Sequence, residues 1–452
     1  MQSLCSIVLK SEVLTGGKNL LYEKISEDLQ NEVIILTEKG DIYALNQEKC
    51  DDFEKKLIER EAEFDRSFSF DGGRLKKMIL LLTEKCNLRC RYCYMDYGNL
   101  DNKENPGNID IKKVKSTIDS IFSKYKNGVG YIQFFGGEPL LAFSEICGII
   151  EHISMKCTET DCELPKYGIV TNGMLLDKEK MEYFSQNRVQ VMVSIDGNRA
   201  LHDAVRLGIN KIATFDKISE KVKELTKSYN LFFELTLNRE HILAYSEESV
   251  REWFESLKSM GFRVGNVGII EMSKDVSLDL CPEDYEIFQK IERDMIDYFF
   301  KEMETEKPLY NIDIFRVLMR LLRKDTKSYS CGAGVSQITM TTEGVILPCP
   351  KFAEHGFDLE IGTDKWQNEK IQNVIMNEFK KDCDNCWARQ LCIGYCYALK
   401  YRDEEKKRIL DGRCWHVREM NKNVVRNIVR LKRNNKISIL KDNIKEFEKL
   451  IE

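Results

Sequence analysis

The chain has 452 residues, a net charge of −5 and sixteen cysteines. It is roughly three times the usual domain length, which predicts two or three units, and its modest, interspersed charge points away from nucleic acid. No run approaches the ~18 apolar residues of a membrane span, and the first ten residues lack the basic start, apolar stretch and cleavage site of a signal peptide, so a soluble cytoplasmic protein is expected.

Residues 1–75 read as a separate small α+β module. Strand-like patches fall at 6–9, 32–36 and 41–45, Glu38-Lys39-Gly40 suits a turn, 51–62 suits a short helix, and Gly72-Gly73 closes the module. From Lys76 strands and helices alternate. Residues 78–82, 131–135, 167–170, 190–195, 231–237 and 264–270 are strand-like. Residues 111–125 predict a helix, with Asp110 as N-cap and Val114, Ile118, Ile121 and Phe122 on one face. Further helices are expected near 144–156, 178–187, 214–228, 247–260 and 283–302. Six such units imply a parallel sheet closing into a partial (β/α)6 barrel over 76–304, with its site at the strands' C-terminal ends. The rhythm is expected to stop near 305. A bridging helical region at 305–330, a cysteine-rich unit at 331–415 and a helical tail at 416–452 follow. In the tail, Val417, Met420, Val424, Ile428 and Leu431 share a face. Arg418, Lys422, Arg426, Arg430, Lys432 and Arg433 make the rest basic, predicting a solvated surface or one that attracts an acidic leader.

Ten of the sixteen cysteines fall into two groups. In a cytosolic chain, clustered thiols suggest metal rather than disulfides. Cys5, Cys50, Cys147, Cys157, Cys162 and Cys281 are scattered and read as small buried hydrophobes. Cys86, Cys90 and Cys93, spaced C-x3-C-x2-C directly after the first barrel strand, supply three soft thiolates for a [4Fe–4S] cube with one open iron. A zinc loop is the alternative, but it wants a fourth ligand nearby.

This segment resembles the radical S-adenosylmethionine (SAM) superfamily, over about residues 76–270. Gly136-Gly137-Glu138-Pro139, Thr171-Asn172-Gly173, Ser194-Ile195-Asp196-Gly197 and Arg206 follow successive strands in the order that family shows. The resemblance implies that Gly136, Gly137, Glu138 and Pro139 engage the methionyl amino group. It places Thr171 and Asn172 at the site, Ser194 and Asp196 at the ribose and methionyl part, Arg206 at the carboxylate, and Tyr92 against the adenine. The cofactors implied are SAM and a cluster whose electron cleaves it to a 5′-deoxyadenosyl radical. A non-catalytic electron carrier would need none of these SAM motifs.

Cys331, Cys349, Cys383, Cys386, Cys392, Cys396 and Cys414 form the second group, whose pattern resembles the SPASM extension. That resemblance implies two further [4Fe–4S] clusters, three in all. Cys383, Cys386, Cys392 and Cys414 would ligate the distal one, and Cys331, Cys349 and Cys396 the one nearer the active site. The near cluster either keeps an open iron or takes Asp325 or Cys281 as its fourth ligand; a pair of zinc knuckles is the alternative for the whole group. Sulfatase-maturing relatives carry an aspartate where this chain has Pro350. The implied function is therefore a ribosomal-peptide maturase that forms a thioether in a cysteine-containing precursor peptide. Carbon–carbon or other side-chain crosslinking is the alternative, followed by sulfatase-type maturation. The partners implied are that peptide and an electron donor such as flavodoxin or ferredoxin. The first 75 residues would capture the peptide by strand addition, or would merely cap the barrel.

Overall fold

A computed structural model describes residues 22–26, 32–37, 42–46, 74–93, 95, 107–270, 273, 275–323, 332–334, 336–355, 386–388, 391–392, 396, 398 and 407–451. The expected strand at 6–9, turn at 38–40, helix at 51–62 and Gly72-Gly73 boundary lie outside them. The first unit is a three-stranded antiparallel sheet of β1 (Tyr22–Ser26), β2 (Glu32–Thr37) and β3 (Ile42–Asn46). The expected second and third strands are β2 and β3; β1 was not expected. Ile34, Leu36 and Ile42 are buried and join the main core.

The large sheet contains six parallel strands in sequential order: β4 (Leu75–Leu81), β5 (Val129–Phe135), β6 (Lys166–Thr171), β7 (Val189–Ser194), β8 (Leu231–Leu237) and β9 (Val264–Ile269). Parallel neighbours need crossovers. These carry α1 (Ile111–Lys124), α2 (Phe143–Thr160), α3 (Lys178–Gln186), α4 (Arg199–Val205), α5 (Phe215–Leu225), α6 (Arg239–Leu243) and α7 (Ser249–Ser259), with α8 (Tyr285–Glu302) after β9. Asp110 caps α1, accepting from Lys112 N at 2.9 Å, and the four predicted apolar residues of that helix are all buried. Successive side chains of a strand point to opposite faces. Thus Ile132, Phe134, Val191, Val193, Phe233 and Leu235 are buried, while Gln133, Met192, Glu234 and Asn266 line the hollow inside the curled sheet.

The rhythm does not stop at 305. β10 (Tyr310–Asn311) joins β9 in parallel and leads into α9 (Ile312–Arg323). β11 (Gln337–Met340) adds in parallel to the opposite edge, beside β4, and β12 (Ile346–Leu347) pairs with it antiparallel. A two-residue strand carries no periodicity that sequence alone can show.

The tail is also different from expectation. α10 (Lys407–Arg433) is part of the core: Val424, Val425, Ile428 and Val429 are fully buried, as is Arg426 nearly so. It packs on α8 and reaches β9 and β2. Of the expected basic face, Arg430 pairs with Asp297 at 3.2 Å and Arg418 donates to Cys386 Sγ at 3.8 Å. The helix is wrapped on more than one side, which an amphipathic reading of one face could not reveal. α11 (Ser438–Ile451) follows and stacks Phe447 on Phe315, with ring centroids 4.2 Å apart. Ile428→Ala should therefore destabilise the protein by about 2–5 kcal/mol, whereas Lys445→Ala on the exposed side of α11 should change it by no more than about 0.5 kcal/mol; denaturant unfolding of both variants checks this.

Candidate active site

The loop after β4 carries Cys86, Cys90 and Cys93 and is held from several directions. Arg89 N and Arg91 N donate to Leu207 O and Val205 O at 2.6 and 2.8 Å. The Arg91 guanidinium forms ion pairs with Glu240 of α6 at 2.8 Å and Asp275 at 2.9 Å. Asn172, at the end of β6, donates from Nδ2 to Asn87 Oδ1 at 2.7 Å and to Cys86 Sγ at 3.8 Å, and Leu88 N lies 3.4 Å from the same sulfur. Burial pushes Cys86 up to about 11 and Cys90 up to about 12, and the neighbouring thiols add to both shifts.

Gly136 has a φ of 135°, and a Cβ there would lie 2.5 Å from Thr83 O; one on Gly137 would lie 2.3 Å from Lys85 O. Instead, Gly137 N and Glu138 N donate to those two carbonyls, both at 2.8 Å. The glycines let the exit of β5 dock directly on the cysteine loop. Glu138 is fully buried. It accepts from Thr171 Oγ1 at 2.7 Å, Asn172 N at 2.8 Å and Leu140 N at 3.1 Å. Burial pushes its carboxyl up to about 7 against these donors. Pro139 opens the short 3-10 turn that follows. Glu138 and Thr171 thus brace the ends of β5 and β6 with the very atoms expected to meet a ligand.

Asp196 is the hub of the other side. Its Oδ2 accepts from Tyr92 Oη at 2.6 Å and from Arg206 Nε at 2.9 Å, and its Oδ1 accepts from Thr236 N at 2.9 Å. The Arg206 guanidinium lies over the Tyr92 ring, 5.1 Å from its centroid. Burial opposes ionisation of Asp196, but Arg206 and these donors outweigh it and hold the carboxyl below the usual range. His202 Nδ1 accepts from Asp196 N at 3.3 Å, and burial keeps its imidazole neutral, down to about 4. Neither Nη group of Arg206 nor the Ser194 hydroxyl hydrogen-bonds a described residue, so both present donors to the space at the strand ends. The structure therefore brings Tyr92, Asp196, Arg206 and the three cysteines together, with Asn172 and Ser194 at the margin.

Between the strands' inner faces, α9 and the end of α11 lies a cavity of about 830 Å³. Glu234 and Asn266 stand in its wall, and Asn266 Nδ2 donates to Glu234 Oε1 at 3.3 Å. The sequence reading passed over both. A lone acid at an inward position of the apolar strand LFFELTL was the available signal.

Of the second cysteine group, Cys331 and Cys383 lie outside the described residues, as does Asp325. Cys349 and Cys396 are buried in the main core. Cys386 and Cys414 both act on the Arg418 guanidinium, which, despite its burial, is raised above its ordinary value by them. Cys281 donates its thiol to Asp284 Oδ2 at 3.1 Å. Among the described residues no three His, Cys, Asp or Glu side chains are drawn together tightly enough for a single metal ion. The three loop thiols do fit a cluster: they are soft donors on one short loop, and burial of Cys86 and Cys90 disfavours their ionisation until a cation offsets it.

A model of the Radical SAM superfamily matches residues 80–247. An uncharacterised protein of Methanocaldococcus jannaschii is 33% identical over 281 residues, 61% of this chain and 85% of that protein. The chain belongs to the radical SAM superfamily. The cysteine-type anaerobic sulfatase-maturating enzyme of Clostridium perfringens is 24% identical to it over 369 residues, 76% of this chain and 95% of that enzyme. The structure of anSMEcpe with bound AdoMet and the Cp18Cys peptide matches with a TM-score of 0.63 at 18% identity, covering 80% of this chain and 99% of the other. Streptococcus suis SuiB bound to precursor peptide SuiA matches with a TM-score of 0.53 at 15% identity, covering 88% and 99%. These two likenesses speak for the fold. Membership makes the protein an enzyme that uses SAM and a [4Fe–4S] cluster.

Asp196→Ala in this radical SAM enzyme would leave Arg206 buried without its carboxylate. Truncating one partner of such a pair costs about 3–5 kcal/mol. Chemical denaturation should show that loss, and SAM affinity measured by calorimetry should fall with it.

Proposed function

We propose that this enzyme is a peptide maturase that forms a thioether in a cysteine-containing ribosomal precursor peptide. The observation that carries the reading is the gathering of Cys86, Cys90 and Cys93 with the Tyr92–Asp196–Arg206 cluster at the strands' C-terminal ends, in a chain that carries seven further spaced cysteines. Cys86, Cys90 and Cys93 would hold the superfamily cluster. With SAM it supplies a deoxyadenosyl radical. Arg206 would offer its Nη donors to the SAM carboxylate while Asp196 keeps it oriented, since guanidinium and carboxylate match in geometry. Tyr92, fixed by Asp196, would pack against the adenine, and Ser194 would donate to the ribose or methionyl part.

The seven later cysteines would hold two auxiliary clusters. Cys383, Cys386, Cys392 and Cys414 would serve one, and Cys331, Cys349 and Cys396 the other. A flavodoxin or ferredoxin would supply electrons. The matched structures named for peptide complexes support a peptide client. Pro350, directly after Cys349, argues against the sulfatase-type reaction, because proline offers no carboxylate to accept a proton. The N-terminal sheet supports strand-addition capture of the peptide, which uses backbone hydrogen bonds.

Anaerobically reconstituted enzyme should hold about twelve irons, and replacing Cys86, Cys90 and Cys93 together with alanine should remove about four and abolish SAM cleavage. Iron analysis and the yield of 5′-deoxyadenosine check both; cleavage that survives would remove these residues from the site. Deleting residues 1–75 should stop peptide modification while soluble truncated enzyme still cleaves SAM; normal peptide turnover by it would refute peptide capture by that unit, and loss of soluble protein would make the unit a cap on the barrel, to whose core Ile34, Leu36 and Ile42 contribute.

A further inference from the structure

We propose that Glu234 is the proton acceptor of the peptide-modifying reaction, with Asn266 as the residue that positions it. The inference rests on the peptide-maturase reading and gives that reaction a base.

Glu234 occupies the middle of β8 and faces into the cavity of about 830 Å³. It stands directly below the SAM end of the barrel: its own carbonyl accepts from Ile195 N at 2.9 Å, and Thr236, the next inward residue of its strand, donates its N–H to Asp196. Asn266 Nδ2 binds Oε1, while Oε2 has no partner among the described residues. Asn266 Oδ1 is buried and equally unpartnered. A buried polar atom with no partner is uncommon in a finished core. Asn266 Oδ1 is shut away from the cavity, so Glu234 Oε2 is the acceptor of this pair left to a space large enough for a substrate residue. The other carboxylates near the strand ends are committed: Glu138 binds three donors and Asp196 binds Arg206.

Burial pushes the Glu234 carboxyl up to about 7; the Asn266 hydrogen bond opposes the rise, Asp313 of α9 adds to it, and Arg206 and Arg316 oppose it. Lys77 of β4, Lys166 of β6, Arg320 of α9 and Glu448 of α11 also border the cavity. A base with that affinity can take a proton at neutral pH and release it again to solvent.

The step balances as follows. The substrate thiol loses its proton to Glu234 Oε2. The acceptor carbon loses a hydrogen atom to the deoxyadenosyl radical, giving 5′-deoxyadenosine. The sulfur–carbon bond forms, and the one surplus electron passes to an iron–sulfur cluster of the enzyme. Glu234 ends protonated, one C–H and one S–H bond are broken, and one C–S bond is made.

The test compares holoenzyme with its Glu234→Gln variant on a cysteine-containing precursor peptide, reading crosslinked product per 5′-deoxyadenosine from mildly acidic to mildly alkaline pH. An acceptor must be deprotonated to act, so the wild-type ratio should rise with pH through about 7. Glu234→Gln should lower it by about a hundredfold or more and abolish the rise. Asn266→Ala, which removes a hydrogen bond that favours the carboxylate, should move the rise to higher pH. It serves as the second variant if Glu234→Gln fails to load iron. Infrared difference spectra of wild type against Glu234→Gln should show one carboxyl titrating near neutrality. A ratio unchanged in Glu234→Gln, or a pH rise that persists in it, would overturn the proposal. Should the wild type cleave SAM yet modify no peptide, the maturase reading falls instead. The infrared titration then still decides Glu234, because a carboxyl in the ordinary glutamate range is not poised as a neutral-pH base.

Discussion

A single buried carboxylate organises the site. Asp196 sits where β7 ends and joins three separate pieces of chain: the cysteine loop through Tyr92, β8 through Thr236, and the end of α4 through Arg206. Two buried opposite charges are costly to desolvate and are tolerated only when further hydrogen bonds complete them. Here every lone pair in use has a donor of fixed position, and neutral His202 supports the backbone on the far side. The positions of Tyr92 and Arg206 are therefore set before any ligand arrives.

A second brace acts across the barrel mouth. Glu138 ties β5 to β6 through Thr171 and Asn172, and Asn172 in turn holds the cysteine loop at Asn87 and Cys86. The two braces meet at that loop from opposite sides, and Arg91 adds a third attachment to α6. Residues that a sequence motif suggests are there for a cofactor are, in the folded chain, largely occupied in aligning the thiols. Binding and support share the same side chains, and a substitution at Glu138 or Asp196 will disturb both.

The six barrel strands were legible in the sequence because each is a short, mostly apolar stretch that alternates with a helical one, and α1 because its cap and its buried face are both local signals. Strands β10 and β11, which extend the sheet beyond the six, were not legible: each is short, and each is defined by a neighbour far away in the chain. The burial of α10 was hidden for a related reason. Arg426 and Asn427 look like solvent residues until the second and third surfaces against which the helix packs are known. At the site, the cysteines stood out by spacing, and Glu138, Thr171, Asn172, Ser194, Asp196 and Arg206 by resemblance to a family's motifs at successive strand ends. Glu234 and Asn266 did not, since single polar residues inside strands gain meaning only when the inward face of the sheet and the cavity beyond it are defined.

The dependence of β10 on α11 has a consequence for how the chain is made. Tyr310 hydrogen-bonds Asn443 at 2.8 Å across 133 residues, and the same helix covers Phe315. A ribosome adding about 5–20 residues per second needs roughly 7–27 s to span that interval. Until α10 and α11 are made, the apolar faces of α8 and α9 have no partner from the C-terminal helices. The barrel edge is thus left open during synthesis while the cysteine-rich segment, which lies between the two, emerges.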